Sequence, residues 1–320
     1  MNKGSKIFIA GHNGMVGSAI YRKLKSESFN NIIVRNRQEL DLKIQKQVEI
    51  FFETHKPEYV FLAAAKVGGI LANNSYPAEF IYSNLQIQNN IIFSAYKNNV
   101  KKVLFLGSSC IYPRNCPQPM KEEYLLTGFL EPTNEAYAIA KISGIKMCQF
   151  FYKQYNTNFL SIMPTNLYGQ GDNFNLENSH VLPAMIRKFH EAKINDLKEV
   201  MLWGTGIARR EFLLVDDLAD ASVFIMKNID SCDIYDQNIS HINVGTGTDL
   251  TIKELAELIK KIVGFTGEIV YDKTKPDGMP QKLLNVERIN KMGWTHKTSL
   301  EKGIEQTYNW FCKNYKLIRS

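Results

Sequence analysis

The sequence predicts an α/β fold, a doubly wound parallel sheet followed along the chain by a smaller α/β domain. Three observations carry this expectation. Short apolar runs alternate with helix-period stretches through the first half of the chain, the pattern of strand–helix–strand crossovers. Three glycines, Gly11, Gly14 and Gly17, follow directly on the first apolar run and lead into a helical stretch. After Asn166 the texture changes: "LYGQGDNFNLENSH" is rich in Gly and Asn, and the later apolar runs are short.

The elements follow in order. Residues 6–10 read as a buried strand, and Met15–Ser26 has helical periodicity. Residues 31–35, 59–65 and 103–107 read as further strands, with a long helix over Pro77–Lys97 between the last two. Another helix is expected over 137–155 and a strand over Phe159–Pro164. The stretch "EPTNEAYAIAK" has Pro132 and two capping candidates, Thr133 and Asn134, before its Ala-rich turns. Later come the runs "VMLWG" and "EFLLV", then "TIKELAELIKKIVGF", an amphipathic helix with Thr251 and Glu254 spaced as a capping box. The expected division is a dinucleotide-binding domain over 1–166, with a returning segment near 211–243, and a substrate-binding domain over 167–320.

Composition excludes several function classes. The chain has 320 residues, 44% hydrophobic and 22% charged, as a globular protein does. Its net charge is +7, but the basic residues are scattered and no Arg/Lys block is interleaved with aromatics. Nucleic acid is therefore not an expected partner, whereas phosphorylated small molecules are. The five cysteines are odd in number and no pair has zinc-ligand spacing, so neither a disulfide framework nor a metal site is expected. No apolar run approaches the roughly 18 residues of a membrane span, and the first run is too short for a signal peptide. The expectation is a cytoplasmic protein with no membrane partner.

The glycine triplet has a mechanical reading. The first glycine permits a tight turn, the second lets the backbone approach a pyrophosphate, and the third lets helix pack on strand. The helix N-terminus adds free N–H groups and a positive dipole end. Placed between strand and helix, "GHNGMVG" predicts a dinucleotide-binding Rossmann unit with Gly11, Asn13, Gly14, Met15, Val16 and Gly17 against the cofactor. In NAD readers an acidic residue near the end of the second strand takes the ribose 2′-OH. Here that strand ends in "VRNRQELDL", with Arg35 and Arg37 in its place. A guanidinium suits a 2′-phosphate through paired hydrogen bonds, so NADP(H) is expected rather than NAD(H).

Tyr137 and Lys141 stand at i and i+4, on one helix face. A phenol titrates near about 10, so it needs help to act at neutral pH, and a nearby ammonium favours the phenolate. A core tyrosine and a surface lysine would satisfy the same spacing. "VLFLGSSCIYP" then places Ser108, Ser109 and Cys110 just past the C-terminal end of a strand, where ligands bind in open α/β sheets.

Glycine triplet, post-strand serine and Tyr–Lys helix, in this order, resemble the extended short-chain dehydrogenase/reductase family. The likeness narrows over "FIAGHNGMVGSAI", "AAAKVGGILANN", "LGSSCIYP", "EPTNEAYAIAK", "MPTNLYG", "DNFNLENSHVLPA" and "HINVGTG", about residues 5 to 312. These are similar to its branch of 3,5-epimerase–4-reductases, which convert GDP-4-keto-6-deoxy-mannose to GDP-L-fucose. Protons α to a 4-keto group are acidic, and inverting such a carbon needs a base on one face and an acid on the other. The resemblance implies Cys110 and His180 for those roles, Tyr137 as the acid that protonates the C4 oxygen, Ser108 to orient that oxygen, and Lys141 to tune Tyr137 and hold the ribose. It also implies Asp41 and Leu42 beside the adenine. Ala64, Leu106, Gly107, Pro164, Asn166, Leu167 and His180 are implied along the rest of the cofactor. Substrate contacts are implied at Ser108, Ser109, Cys110, Lys188, Trp203, Arg210 and Asp277, with Arg210 on the diphosphate. Read from the residues alone, Cys110 is as easily an apolar filler, His180 a helix cap and Trp203 second-domain core.

Three positions depart from the branch: Asn13 and Lys188 stand where arginine is common, and Gln281 where a basic residue is common. They leave open a relative acting on another GDP-4-keto sugar, such as a 6-deoxy-heptose, with or without epimerisation. A protein that binds NADP(H) without catalysis is the alternative from another class. The resemblance further implies a homodimer, its interface built from the two long helices.

Overall fold

The computed structural model describes residues 1–176, 179–275 and 277–318. Glu177 and Asn178 of the Asn-rich stretch, and Pro276, lie outside the described residues. In chain order the elements begin β1 (Ile7–Ala10), α1 (Met15–Ser26), β2 (Ile32–Ile33), α2 (Gln45–His55), β3 (Tyr59–Leu62), α3 (Ile70–Ser75), α4 (Pro77–Lys97) and β4 (Lys102–Leu106). Next come α5 (Glu135–Tyr155), β5 (Phe159–Pro164), β6 (Asn166–Tyr168), α6 (Val181–Ile194), β7 (Glu199–Trp203), β8 (Arg209–Arg210), β9 (Phe212–Leu214) and α7 (Val215–Asn228). The chain ends α8 (Cys232–Tyr235), β10 (Ile242–Val244), β11 (Leu250–Thr251), α9 (Ile252–Val263), β12 (Glu268–Asp272), β13 (Gln281–Lys282), α10 (Glu287–Lys291) and α11 (Leu300–Ile318).

Six strands form one sheet in the order β10-β5-β4-β3-β1-β2, every pair parallel. Strand order reverses between β1 and β3, and that switch point opens the crevice in which such sheets bind ligands. Helices α1 and α7 pack together, as do α4 and α5. The strands are buried on both faces, β1, β4 and β5 along their whole lengths. Continuous apolar runs such as "IFIA" and "KVLFL" are what a parallel sheet covered by helices requires.

The second strand differs from expectation. It stops at Ile33 rather than running to residue 35. The Asn36 side chain accepts from the N–H groups of Gln38 and Glu39 at 2.8 and 3.0 Å, and this local bonding competes with the strand ladder. Helix α5 begins two residues earlier than expected, after a single turn of 3-10 helix over Pro132–Asn134 that Glu131 caps by accepting from Thr133 N. The capping box of α9 is formed in both directions between Thr251 and Glu254, and Gly264 in the left-handed region ends that helix.

Two hydrophobic clusters divide the interior. The larger surrounds the six-stranded sheet and takes in the apolar faces of α7 and α10 together with Leu284 and Trp294. The smaller joins α6, α9 and α11 to β7 and β9, with Phe174, Phe189 and Phe311 fully buried in it. The cleft lies where β6, β8, β9 and β13 connect the two. No helix among the described residues is long and apolar enough to cross a membrane.

Candidate active site

At the switch point the chain is shaped for a diphosphate. A Cβ added to Gly17 would lie 2.1 Å from Gly11 O, and one on Gly11, whose φ is +90°, would lie 2.7 Å from Ala64 N. Both positions therefore tolerate only glycine. At Gly14 the nearest atom is Gly11 O at 3.4 Å and the remaining space is open. That opening lies at the N-terminus of α1, which carries no acidic residue in its first turn. Met15 and Val16 start that turn, Asn13 is exposed at its rim, and Ala64 closes the floor. The residues present fit a dinucleotide.

The two arginines after β2 part company. The Arg35 guanidinium is tied back to Val34 O at 2.7 Å and to His55 Nε2 at 2.9 Å. The Arg37 side chain is 76% exposed, with only a loose approach of Nε to Asp41 Oδ2 at 3.7 Å. Arg37 is thus the less committed guanidinium of the two. Leu42 is held by its carbonyl, which accepts from Asn90 Nδ2 at 2.9 Å. We expect Arg37→Ala to weaken NADPH about tenfold, the loss of one charge-assisted contact, and to leave NADH unchanged. Dissociation constants by fluorescence titration check this; unaltered NADPH affinity would remove Arg37 from the 2′-phosphate.

On the other side of the sheet, β4 delivers Ser108 and then a 3-10 turn over Ser109–Ile111, which faces α5. Helix α5 brings Tyr137 and Lys141 to the same place. The Lys141 ammonium is buried and donates to Leu106 O at 2.8 Å, with the Phe105 ring 4.9 Å and the Tyr137 ring 5.7 Å from Nζ to centroid. Phe80 meets Tyr137 edge-on at 6.2 Å. The Ser108 hydroxyl stands beside both Tyr137 and Cys110 and favours the ionised form of each. Gly107 N donates to Ile162 O at 2.8 Å, which locks the β4 end to β5.

Charge in this pocket follows burial. Burial brings the Lys141 ammonium down to about 8. Burial pushes the Tyr137 phenol up, and the neighbouring Cys110 pushes in the same direction. The expected tuning of Tyr137 by Lys141 is therefore not what the geometry gives: the ammonium is spent on Leu106 O and desolvation outweighs it. Tyr137 is held protonated, the form a proton donor needs. Burial also raises the Cys110 thiol, opposed first by Lys282, then by Ser108 and Lys141. His180 is the N-cap residue of α6, but its side chain makes no capping bond. Desolvation lowers its imidazole, with Lys282 contributing.

The residues expected on the substrate gather around β8 and β13. Arg210 is half-buried, its guanidinium lowered by burial and held up by Asp277. Asp277 is in turn fixed by Thr205, whose N and Oγ1 donate to its two oxygens at 2.7 Å each. Trp203 is not core: it is 65% exposed, with the Lys275 ammonium 5.6 Å over its ring. Lys188 donates to Met201 O at 3.2 Å beside it. Gln281 lies away from this group. It donates to Asp249 Oδ2 at 2.6 Å, and Asp249 pairs with Arg209 at 2.8 Å. Gln281 and Arg209 share one face, while Lys282 and Arg210, paired in the next register position, share the other.

Two residues that sequence reasoning passed over tie the site together. Glu211 is fully buried and accepts from Thr246 N, Gly247 N and Leu284 N at 2.6, 2.8 and 2.9 Å, while its main-chain oxygen accepts from Asn166 Nδ2 at 2.8 Å. It thereby joins the strand of Arg210 to Pro164–Leu167 at the cofactor side, where Thr165 N donates to Val244 O at 3.0 Å. The charge of Lys282 acts on Cys110 and His180, and its only signal in the sequence is the alternation that separates it from Gln281.

Fold, phosphate cradle and a Ser–Tyr–Lys group at the sheet's C-terminal edge describe a nucleotide-dependent reductase or epimerase. Residues 7–245 match the model of the NAD dependent epimerase/dehydratase family, and the chain belongs to that family. Among curated relatives, it is 60% identical to a putative GDP-L-fucose synthase 2 of Arabidopsis thaliana, over 98% of this chain and 94% of that one. It is 52% identical to the GDP-L-fucose synthase of Escherichia coli K12, over 98% of both. Among solved structures, a GDP-mannoheptose C4 reductase from Campylobacter jejuni with NADP bound superposes with a TM-score of 0.90 at 43% identity, over 98% of this chain and 99% of that one.

Proposed function

We propose that this protein is an NADPH-dependent enzyme that inverts C3 and C5 of a GDP-4-keto-6-deoxy-hexose and reduces its 4-keto group, giving GDP-L-fucose. The observation that carries the reading is the meeting of two chemistries in one cleft. The Ser108–Tyr137–Lys141 group serves a carbonyl reduction, and the Cys110 thiol lies beside Ser108 while sharing the field of Lys282 with His180. The named activities of the relatives agree with it.

The residues divide the work. Gly11–Gly17 and Arg37 hold the diphosphate and 2′-phosphate of the cofactor, with Asp41 and Leu42 beside the adenine and Pro164–Leu167 beside the nicotinamide. NADPH, when bound, supplies the hydride that C4 receives. Arg210 takes the substrate diphosphate, and Trp203 and Lys188 the nucleoside end. Cys110 as thiolate removes the proton α to the ketone and His180 returns one on the opposite face. Ser108 donates to the 4-oxygen and Tyr137 gives it a proton as the alkoxide forms. Lys141 fixes Leu106 and meets the ribose.

The test is one reaction in D2O with NADPH and GDP-4-keto-6-deoxy-mannose, read by NMR. Deuterium at both C3 and C5 of a reduced product is the expected result. Reduction without deuterium would make the protein a plain 4-reductase, in keeping with the heptose reductase it resembles, and would reassign Cys110 and His180 to binding.

The enzyme acts as a cytoplasmic homodimer in this reading. Tyr82 and Phe93 on α4 and Ile139 and Phe150 on α5 are 62, 41, 40 and 58% exposed, an apolar surface on two packed helices that a two-fold partner would cover. Light scattering at micromolar concentration should give twice the chain mass; a monomer would refute the dimer.

A further inference from the structure

We propose that Lys282 is the counter-charge of Cys110, stabilising the negative charge as it moves from Sγ to the sugar enolate and back. This rests on the epimerase reading given above. The lysine's placement is fixed by the backbone. On β13 its neighbour Gln281 is committed to Asp249 on one face, so Lys282 lies on the other, beside Arg210. The chain just beyond is laced to the segment that follows Cys110. Leu283 N donates to Gln118 Oε1 at 2.9 Å, Met120 N to Leu283 O at 2.8 Å, and Asn285 N to Met120 O at 2.8 Å. Met120 and Leu284 form a parallel bridge. The backbone that carries Lys282 is thus tied to the segment that leads on from the cysteine turn.

Its ammonium is half-buried and makes no hydrogen bond or ion pair with any described residue. A desolvated cation without a bonded partner is costly unless an anion comes to it. The charged and titratable groups in its field are Cys110, Arg210, Glu131 and His180. Those that face Cys110 are Lys282, Ser108, Lys141 and Tyr137, and Lys282 is the foremost of the cations. Lys141 is committed to Leu106 O, which leaves Lys282 as the free charge. When the thiolate takes the α-proton, an S–H bond forms, a C–H bond breaks and its electron pair becomes the enolate. One negative charge exists before and after, and it travels within the field of one ammonium, so the transfer costs little electrostatic work.

The readout that requires no substrate is the thiolate absorbance of Cys110 against pH, taken as the difference between each protein and its Cys110→Ser counterpart. In Lys282→Met the Cys110 transition should move up by about one pH unit, leaving about tenfold less thiolate at neutral pH. Deuterium exchange at C3 and C5 should slow by about the same factor, and Lys282→Arg should restore both. An unmoved thiol transition would overturn the proposal. So would a moved transition with unaltered exchange. A rise only in the GDP dissociation constant would assign the lysine to the diphosphate instead. A wild-type protein that reduces without exchanging deuterium would sink the epimerase reading whatever the titration shows, so the two failures are distinct. A thermal midpoint within a few degrees of wild type establishes that Lys282→Met is folded; should it not be, Lys282→Gln carries the same test.

Discussion

Cys110→Ser abolishes deuterium entry at C3 and C5 while leaving NADPH binding within twofold of wild type. Serine keeps the shape of the turn over Ser109–Ile111, where Cys110 is 7% exposed, so no cavity opens and no cofactor contact changes. What is lost is the base. A hydroxyl yields its proton far less readily than a thiol, and removal of a positioned proton-transfer group typically costs about 10²–10⁴-fold. The variant should still consume NADPH slowly, and NMR should find the 4-reduced sugar without inversion. Retained exchange at more than about a tenth of the wild-type rate would take the base role from Cys110.

Tyr137→Phe has the converse effect: exchange at C3 and C5 persists while reduction falls by about 10²–10⁴-fold. The phenol is pushed up by burial and stays protonated across the working range, so its function is to donate. Phenylalanine preserves the edge-on contact with Phe80 and removes only the donor. The two half-reactions should also diverge with pH. Cys110 is raised by burial, so its reactive thiolate grows as pH rises above neutrality and exchange accelerates. Lys141 is lowered to about 8, so its positive charge is present below that pH and lost above it, and reduction slows there. Single-turnover NADPH oxidation and deuterium exchange over the same pH series check this. Parallel profiles would mean one group governs both steps.

Much of this machinery is local in sequence. The cradle is Gly11–Gly17 on consecutive turns, and its glycines are dictated by contacts within the same loop and with the end of the neighbouring strand. Tyr137 and Lys141 need only a helix to share a face, and the capping box of α9 lies within four residues. Such features are readable because a short span of chain fixes both the residue and its geometry. The end of β2 was not readable: the chain turns into local bonding at Asn36, whose N–H goes to Glu39 Oε2 and whose side chain takes the N–H groups of Gln38 and Glu39.

What the tertiary structure decided is charge and distance between remote segments. From the chain alone Lys141 is a neighbour of the Tyr137 phenol; in the fold it is drawn to Leu106 O and burial governs both groups. Gln281 looks like a lost substrate contact, yet its partner is Asp249, and the cleft-facing cation is the next residue, Lys282. Glu211 shows no motif role but binds three segments that no spacing rule connects. The sequence by itself determined the sheet, the cofactor cradle and the proton-transfer residue types. Which ammonium faces which acid depends on desolvation and on parallel pairing between strands far apart in the chain, and both exist only once the two cores have closed on the cleft.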